Sequence, residues 1–291
     1  MRTQPTKAKR VQRVVRDQPA HWVGDGFRVR GLLSYRDSPE EVSPFLLMDY
    51  AAPHAFGPSQ HQRGVGTHPH RGFETVTIAY QGSVEHKDST GAVGKIGPGD
   101  VQWMTAGAGI LHEERHGREF ARAGGTFEMV QFWVNLPREH KLSAPGYQAL
   151  EAERIPLVEL PGGGGSVRVI AGELAGKKGP ARTFTPINAW DLELGGGRTT
   201  TLELPEGHTA VLLLRRGALS VGGSRLAPAE LARLSLEGEA LELEVHEDSS
   251  ALLLTGVPLG EPVVGHGPFV MNTEEEIRTA IRDLQAGTFI R

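Results

Sequence analysis

Histidine is concentrated in one part of this 291-residue chain. Seven of its twelve histidines lie between positions 54 and 116, where an even distribution would place two or three. Cysteine is absent, which excludes disulfide scaffolds, thiolate nucleophiles, iron–sulfur clusters and Cys-based zinc fingers. A metal ion in this protein would therefore be bound by imidazoles and carboxylates, and a site of that kind is expected in the histidine-rich part.

Two short motifs in this part have the spacing that brings ligands to one face of a strand. His68 and His70 flank a single proline, and His112 and Glu114 flank a single glutamate. Side chains at positions i and i+2 of an extended chain share a face, so each pair can converge on one point. On neighbouring strands the two pairs would supply three neutral imidazoles and one carboxylate. Such a set suits Fe(II), Mn(II), Ni(II) or Zn(II), and its open positions for water or substrate are typical of a catalytic site.

Other interpretations compete with this one. Glu74 has the same parity as His68 and His70 and is a second candidate ligand, unless a bulge at Arg71-Gly72 turns it into a supporting or solvent-facing carboxylate. Pro69 cannot donate to a strand ladder, which places this segment at a strand start or a sheet edge. Surface histidines also pair by chance, so a pair without a metal is the alternative to a metal site. Surface or loop positions are expected for the other histidines of this part, which are His54, His61, His86 and His116. Core positions are expected for Trp103, Phe132 and Trp133.

Short β-type segments separated by Gly, Pro and Asp extend from about residue 22 to residue 270. Turn signals at intervals of 8–12 residues indicate an all-β sandwich or barrel rather than alternating α/β units. The predicted strands are Glu74–Tyr80, Val101–Met104, Phe127–Asn135, Val167–Ile170, Thr200–Leu204, Ala210–Leu214, Leu241–Val245 and Ala251–Leu254.

One helix is predicted near the end of the chain. Thr273 and Glu276 have the spacing of a capping box, and Gly287 lies where a helix would stop. Between them the apolar residues recur at helical spacing, so one face of the helix is expected to pack on the sheets: Ile277, Ala280, Ile281 and Leu284.

The chain contains an internal similarity. The stretch 72–82 followed by 96–104 has the same layout as 207–217 followed by 226–234, with glycine matching glycine and Pro98 matching Pro228. This indicates two copies of one β-unit, joined by the Pro/Gly-rich stretch 137–165. The alignment places Glu203 and Pro205 opposite His68 and His70, so the second copy is expected to be metal-free.

Charge and hydropathy exclude several classes of partner. The formal net charge is −4, so no overall field attracts the chain to nucleic acid or to an anionic membrane. The apolar runs have the length of strands, well short of a membrane-spanning helix. The first sixteen residues are basic but are not followed by the apolar segment of a signal peptide. A cytoplasmic protein with a flexible basic arm over residues 1–16 is predicted.

The sequence resembles the pirin family of the cupin superfamily over nearly its whole length. The resemblance implies a bicupin, with two β-sandwich barrels and one metal, usually iron, in the N-terminal barrel. The motifs that carry it lie at 43–49, 68–76, 98–107, 109–114, 131–136 and 266–272. The domains expected on this basis are a metal-binding cupin domain over 17–137, a linker over 138–165, and a metal-free cupin domain with the terminal helix over 166–291.

The resemblance also implies the ligands. Matched by motif position they are His68, His70, His112 and Glu114, the four residues that strand parity selects. In many other cupins the first-motif glutamate, here Glu74, is the carboxylate ligand, whereas the pirin pattern gives that role to Glu114. Iron is the metal expected, with Zn, Ni or Mn as alternatives.

The family's reported activity is cleavage of the flavonol quercetin by dioxygen. Its eukaryotic members are also iron-dependent partners of transcription factors. We predict a quercetin 2,3-dioxygenase-like enzyme in which Glu114 is both a metal ligand and the base that accepts the substrate's proton. The expected substrate is a flat, flavonol-like aromatic molecule. An iron- or redox-dependent regulatory binding protein and a metal-bearing sandwich without chemistry are the alternatives, and direct binding to nucleic acid is not expected.

Overall fold

The computed structural model describes residues 7–290. The chain divides into two units, each built around a β-sandwich of a larger and a smaller sheet, so the predicted all-β architecture with two barrels is confirmed. The first barrel comprises residues 19–40, 44–152 and 259–290, and the second barrel comprises residues 7–18, 41–43 and 153–258. None of the helices within residues 7–290 is long and apolar enough to cross a membrane.

The strands are short and are numbered here in chain order. They are β1 (Val11–Val15), β2 (Ala20–Val23), β3 (Phe27–Ser34), β4 (Phe45–Phe56), β5 (Gly64–His70), β6 (Phe73–Gln81), β7 (Val84–Asp88), β8 (Val93–Ile96), β9 (Val101–Thr105), β10 (Ile110–His116), β11 (Gly125–Asn135), β12 (Gly146–Leu150), β13 (Leu157–Leu160), β14 (Gly165–Ala171), β15 (Glu173–Leu174), β16 (Lys177–Lys178), β17 (Ile187–Leu194), β18 (Arg198–Glu203), β19 (Thr209–Arg216), β20 (Leu219–Val221), β21 (Ser224–Leu226), β22 (Glu230–Leu234), β23 (Ala240–Val245), β24 (Ser249–Gly256), β25 (Val264–His266) and β26 (Phe269–Met271). The α-helices are α1 (Pro39–Val42), α2 (Arg118–Ala123) and α3 (Glu274–Gln285), and 3-10 turns occupy Arg138–His140, Ala152–Arg154 and Pro161–Gly163. Each of the eight strands predicted from the sequence is present, with ends that differ by at most two residues.

Both barrels use one strand order. The larger sheet of the first barrel runs β12-β9-β6-β11-β4-β3-β2, and that of the second barrel runs β1-β22-β19-β24-β17-β14-β13. The smaller sheets run β5-β10-β7-β8 and β18-β23-β20-β21. The predicted internal duplication is therefore confirmed by topology, since strands at corresponding chain positions occupy corresponding sheet positions in all but the edge strands β12 and β1.

The two barrels differ in what fills them. The core of the second barrel is almost entirely aliphatic, because strands such as β24 and β19 are nearly continuous apolar runs that pair on both sides. In the first barrel a smaller aromatic-rich cluster includes Phe27, Phe56 and Phe127, and several buried positions carry His, Glu, Thr or Gln instead. Buried polar side chains are costly unless they are paired, so the first barrel is the one whose interior suggests a function.

Helix α3 has the predicted ends. The Thr273 hydroxyl accepts a hydrogen bond from the Glu276 backbone N–H at 3.2 Å, and the Glu276 carboxylate accepts one from the Thr273 N–H at 2.8 Å. This is a complete capping box. Gly287 follows the helix with φ of +70°, as a glycine stop requires. The buried face of the helix, with Ile277 and Ala280, packs against β26.

The position of this helix differs from the predicted domain 166–291. Residues 259–290 belong to the first barrel, where β25 and β26 form a hairpin and Arg71 makes a backbone bridge with Phe269. Adjacent stretches of a chain usually belong to one domain, and no change in composition marks residue 259 as the point where the chain returns to the first barrel.

The predicted arm and linker also differ from the structure. Residues 1–6 of the arm lie outside the described residues, but β1 pairs with β22, and Lys9 Nζ donates to the backbone carbonyls of Ser235 and Leu236 at 3.0 and 2.9 Å. The stretch 138–165, predicted as a linker, contributes β12 to the first barrel and β13 to the second. These are edge strands or their neighbours, so only part of each is apolar and their sequence signal is weak.

Candidate metal centre and its cavity

Strands β5 and β10 are antiparallel neighbours in the smaller sheet of the first barrel. His112 lies directly opposite His68, and His70 lies opposite Ile110, so the three imidazoles share one face. One potential ligand atom from each of the three lies within 4.8 Å of the others. Among the residues that the structure describes, this trio is the group of histidine and acidic side chains that is close enough to hold a metal ion.

Two of the three imidazoles are held in the neutral form that a metal ligand needs. Burial, assisted by neighbouring histidines, lowers the pKa of His70 to about 3 and lowers the pKa of His112 well below its ordinary value. His68 Nδ1 lies 2.9 Å from the Gly66 carbonyl oxygen. A carbonyl only accepts, so Nδ1 carries a proton and Nε2 is the ring nitrogen that can face a metal ion.

Unpaired nitrogen atoms test whether a metal fits here. Both ring nitrogens of His112 and Nδ1 of His70 are buried without a hydrogen-bond partner within residues 7–290. Buried polar atoms are normally paired, and neutral imidazole nitrogens are good ligands for divalent transition metals. The donor set therefore fits a bound metal ion.

Glu114 lies outside the three-histidine group but lines the same cavity as His68 and His70. A register shift in β5 places Glu114 opposite Val65, so β5 has one extra residue at this point. The Gln131 amide donates to both carboxylate oxygens of Glu114 at 3.1 Å. Burial raises the pKa of the Glu114 carboxyl group. The carboxylate is thus held by a fixed donor beside two of the imidazoles.

Glu74, the competing candidate, belongs to another sheet. The chain bends at Gly72, whose φ is +90°, and Glu74 then lies on β6 opposite Thr105. The Thr105 hydroxyl donates to Glu74 at 2.7 Å, and burial raises the pKa of Glu74 to about 7. Glu74 is neither in the three-histidine group nor among the residues that line the cavity, so its role here is that of a buried supporting carboxylate.

Of the four other histidines of the histidine-rich part, His54 is half-buried on β4 and the rest fall into two groups. His61 is exposed and pairs with Asp25, as expected for a surface residue. His86 and His116 are buried, so the prediction of surface or loop positions was wrong for them. The His86 ring stacks on Tyr147 at 4.7 Å, and His116 belongs to the aromatic cluster of the barrel. Both lie on inward-facing positions of strands, where burial follows from the alternation of side chains.

A cavity of about 310 Å³ opens beside the histidines. This volume is at the lower end of the range of small-molecule sites. The wall is mostly apolar and is lined by Val23, Phe27, Val29, Val65, Met129, Trp133 and Pro268. Its polar side chains are Asp49, His68, His70, Glu114 and Gln131. Trp103 and Phe132 lie in the core as predicted, whereas Trp133 is buried and faces the cavity.

Sequence reasoning missed two polar residues of this wall, Asp49 and Gln131. Both lie on strands of the larger sheet and face each other in register. A signal was present in β11, where Met129, Gln131 and Trp133 alternate on one face, because a glutamine at an inward position of an apolar strand needs a partner.

The C-terminal segment completes the wall around the site. Pro268 lines the cavity, and Arg71, the residue after His70, forms a 2.7 Å ion pair with Asp283 of α3. Arg71 also donates to the Ala108 carbonyl at 2.6 Å, and its guanidinium lies 4.4 Å from the centre of the Phe289 ring. The end of β5 is therefore fixed to the end of the chain.

Leucines occupy the equivalent positions of the second barrel. Strands β5, β10 and β7 correspond to β18, β23 and β20 in the shared strand order. The register places Leu202 and Leu204 at the positions of His68 and His70. It places Leu241 and Leu243 at the positions of His112 and Glu114, and all four leucines are buried. The alignment that selected Glu203 and Pro205 was one residue out of register. A metal-free second barrel stays a prediction, and side chains without ligand atoms favour it.

Comparison with known proteins identifies the family. The Pirin profile matches residues 26–134, and the profile of the Pirin C-terminal cupin domain matches residues 189–290. A Pseudomonas aeruginosa protein provisionally named quercetin 2,3-dioxygenase is 53% identical, over 97% of this chain and 99% of its own length. Mouse Pirin is 41% identical, over 90% of this chain and 88% of its own length.

Solved structures agree with these matches. The crystal structure of quercetin 2,3-dioxygenase from Acinetobacter baumannii has a TM-score of 0.94 and 54% identity, covering 97% of this chain and 98% of that one. The bacterial pirin YhhW from Escherichia coli, in complex with nickel(II), shares the fold with a TM-score of 0.64 at 18% identity, covering 83% and 96% of the two chains. Both halves of the chain and its overall sequence thus lead to one conclusion: the chain belongs to the pirin family.

Proposed function

We propose that this protein is an iron-dependent dioxygenase that opens quercetin-like flavonols with O₂. The observation that carries the proposal is the convergence of three imidazoles, two of which line a mostly apolar cavity together with the Glu114 carboxylate. The names of the Pseudomonas and Acinetobacter relatives support a flavonol as the class of substrate. A cytoplasmic location stays a prediction.

Four side chains would hold the metal: His68, His70, His112 and Glu114. When bound, the metal would act as a Lewis acid that lowers the pKa of a substrate hydroxyl group. Iron is the metal that the family resemblance favours, and the nickel(II) complex of the Escherichia coli pirin supports the view that this fold accepts more than one divalent ion.

Glu114 is the residue proposed to accept the proton of the flavonol 3-hydroxyl group. Burial shifts the pKa of Glu114 upward, toward neutral pH. A general base is most effective when its pKa lies near the pH at which the enzyme works. The Gln131 amide holds both of its oxygens and so restricts how the carboxylate can turn.

The reaction also requires that water be kept away from the electron-rich substrate, and the cavity wall does this. Phe27, Met129 and Trp133 offer flat or adaptable apolar surface to an aromatic ring system. Displacement of water from this space strengthens the electrostatic interactions of Glu114 with the substrate.

Oxygen uptake with quercetin tests the proposal. We expect iron-loaded wild-type protein to consume O₂, and metal-stripped protein not to. Glu114→Gln should reduce turnover by about 10²–10⁴-fold, the range typical for loss of a general base. Glu113→Gln is the matched control, because Glu113 is the next residue on β10, lies outside the cavity lining and pairs with Arg115. No uptake by fully iron-loaded wild-type protein would contradict quercetin oxidation and favour a regulatory binding protein.

A further inference from the structure

A second carboxyl group faces the cavity that Glu114 lines. Asp49 lies on β4, is half-buried, and contributes to the cavity wall. Within residues 7–290 the carboxylate has His21 of β2 as a charged neighbour and receives no hydrogen bond. Glu114 and Glu74, by contrast, receive donors from Gln131 and Thr105. Asp49 is therefore the carboxyl group of this wall whose acceptor capacity is left for a ligand.

The position of Asp49 separates it from the metal ligands. Asp49, Gln131 and Thr77 lie side by side on β4, β11 and β6, with Gln131 directly opposite each of the other two. Thr77 and Gln131 both contact Glu114, at 3.5 and 3.1 Å. Adjacent strands are about 4.8 Å apart, so Asp49 lies one strand spacing from Gln131 and two from Thr77. The cavity thus offers two carboxylate acceptors in a mostly apolar wall, Glu114 on the smaller sheet and Asp49 on the larger one.

An unpaired carboxyl group in this setting is costly. Burial raises the pKa of Asp49 to about 6, against the opposing influence of His21. Most of the group is still ionised at pH 7, and an ionised carboxylate that lacks hydrogen-bond donors loses part of its solvation in this mostly apolar cavity. On the neighbouring strand β3 the facing residue is Gly31, where a Cβ atom would be in ordinary van der Waals contact with Asp49 Oδ1 at 3.5 Å and with the His21 ring at 4.0 Å. The His21 ring therefore lies near the Gly31 side of the carboxylate.

We propose that Asp49 is a specificity-determining residue that accepts a hydrogen bond from a second hydroxyl group of the substrate, away from the hydroxyl group at the metal. The inference rests on the proposed function and narrows its substrate class to flat aromatic compounds that carry hydroxyl groups at two separated positions. Gln131 and the apolar wall then align the molecule between the two carboxylates.

The test is a comparison of two ligands that share one ring system. Quercetin carries hydroxyl groups on all of its rings, whereas 3-hydroxyflavone has the 3-hydroxyl group alone. Dissociation constants are measured by quenching of tryptophan fluorescence, which Trp133 in the cavity wall makes sensitive to occupancy. We expect metal-loaded wild-type protein to bind quercetin about 10- to 100-fold more tightly than 3-hydroxyflavone, as is usual for a hydrogen bond to a charged group.

Two variants decide whether Asp49 causes this preference. Asp49→Leu should bind the two ligands within about threefold of each other, and Asp49→Asn, which keeps one acceptor oxygen, should give an intermediate ratio. Glu113→Gln should retain the wild-type ratio. A wild-type ratio in Asp49→Leu, or no preference in the wild type, would overturn the proposal. Loss of quercetin turnover with an intact binding preference would instead contradict the proposed oxidation and leave the role of Asp49 standing.

Discussion

Gln131 connects the Glu114 carboxylate to the larger sheet of the first barrel. Its amide nitrogen lies 3.1 Å from both Glu114 oxygens and 3.1 Å from the Thr77 hydroxyl. Gln131→Leu removes this donor and frees the carboxylate to rotate. We expect metal affinity or turnover to fall about 10- to 100-fold, the usual effect of losing a side chain that orients a ligand. Metal titration and oxygen uptake measure it, and Gln60→Leu, at an exposed site, is the control.

For single residues of the site, the sequence predicts candidates that lie on two short motifs. It misses residues, such as Gln131, that reach the site only through the pairing of strands in a sheet. Parity made His68, His70, His112 and Glu114 candidates but left Glu74 open, because strand geometry determines only which side chains share a face. The structure brings the three histidines together, and ligation by Glu114 stays a prediction. Gln131 belongs to β11, and only the fold brings it to Glu114. No local pattern encodes such a contact.

Helix α3 and β5 are joined by Arg71, whose side chain is 3% exposed. Asp283→Ala leaves this buried guanidinium without its carboxylate partner. We expect the free energy of unfolding to fall by about 3 kcal/mol. This corresponds to a decrease of roughly 6–12 °C in the midpoint of thermal unfolding. Calorimetry measures the change.

Arg278→Gln on the same helix provides the comparison. Arg278 pairs with Glu274 and Glu275 at the surface, and exposed pairs of this kind contribute less than about 1 kcal/mol. Equal stability of the two variants would show that Arg71 is satisfied by its backbone acceptors and that the ion pair is dispensable.

Elements with a strong local signal were predictable. The buried apolar runs gave the central strands, and the capping box gave α3 with its correct start at Thr273. Strand β1 was missed because its sequence mixes valine with glutamine and arginine. Its stability comes from pairing with β22 and from packing of Val11 and Val14 on the core of the second barrel. That is tertiary information, which local propensity does not contain.

At the scale of the whole molecule, two copies of one fold have diverged in what they bury. The first barrel keeps histidine, glutamate and glutamine on inward positions, which costs stability unless a metal and a substrate pair with them. The second barrel fills the same positions with leucine, and each buried leucine contributes roughly 1.5–3 kcal/mol to its core. Alignment of the two halves of the sequence detected the duplication. An error of one residue in its register matched His68 and His70 to Glu203 and Pro205 instead of to Leu202 and Leu204.

Metal stoichiometry tests this division of roles. We expect one metal ion per wild-type chain, because ligand side chains converge in the first barrel and leucines stand at the equivalent positions of the second. His68→Ala/His70→Ala removes two of three imidazoles and should reduce the metal content, measured by elemental analysis, to near zero. His208→Ala/His246→Ala removes two histidines of the second barrel and should leave it at one. Full metal content in the first double variant, or an anomalous transition-metal signal within residues 153–258 of a crystal, would contradict the assignment, since ligands outside β5 and β10 would then have to hold the ion.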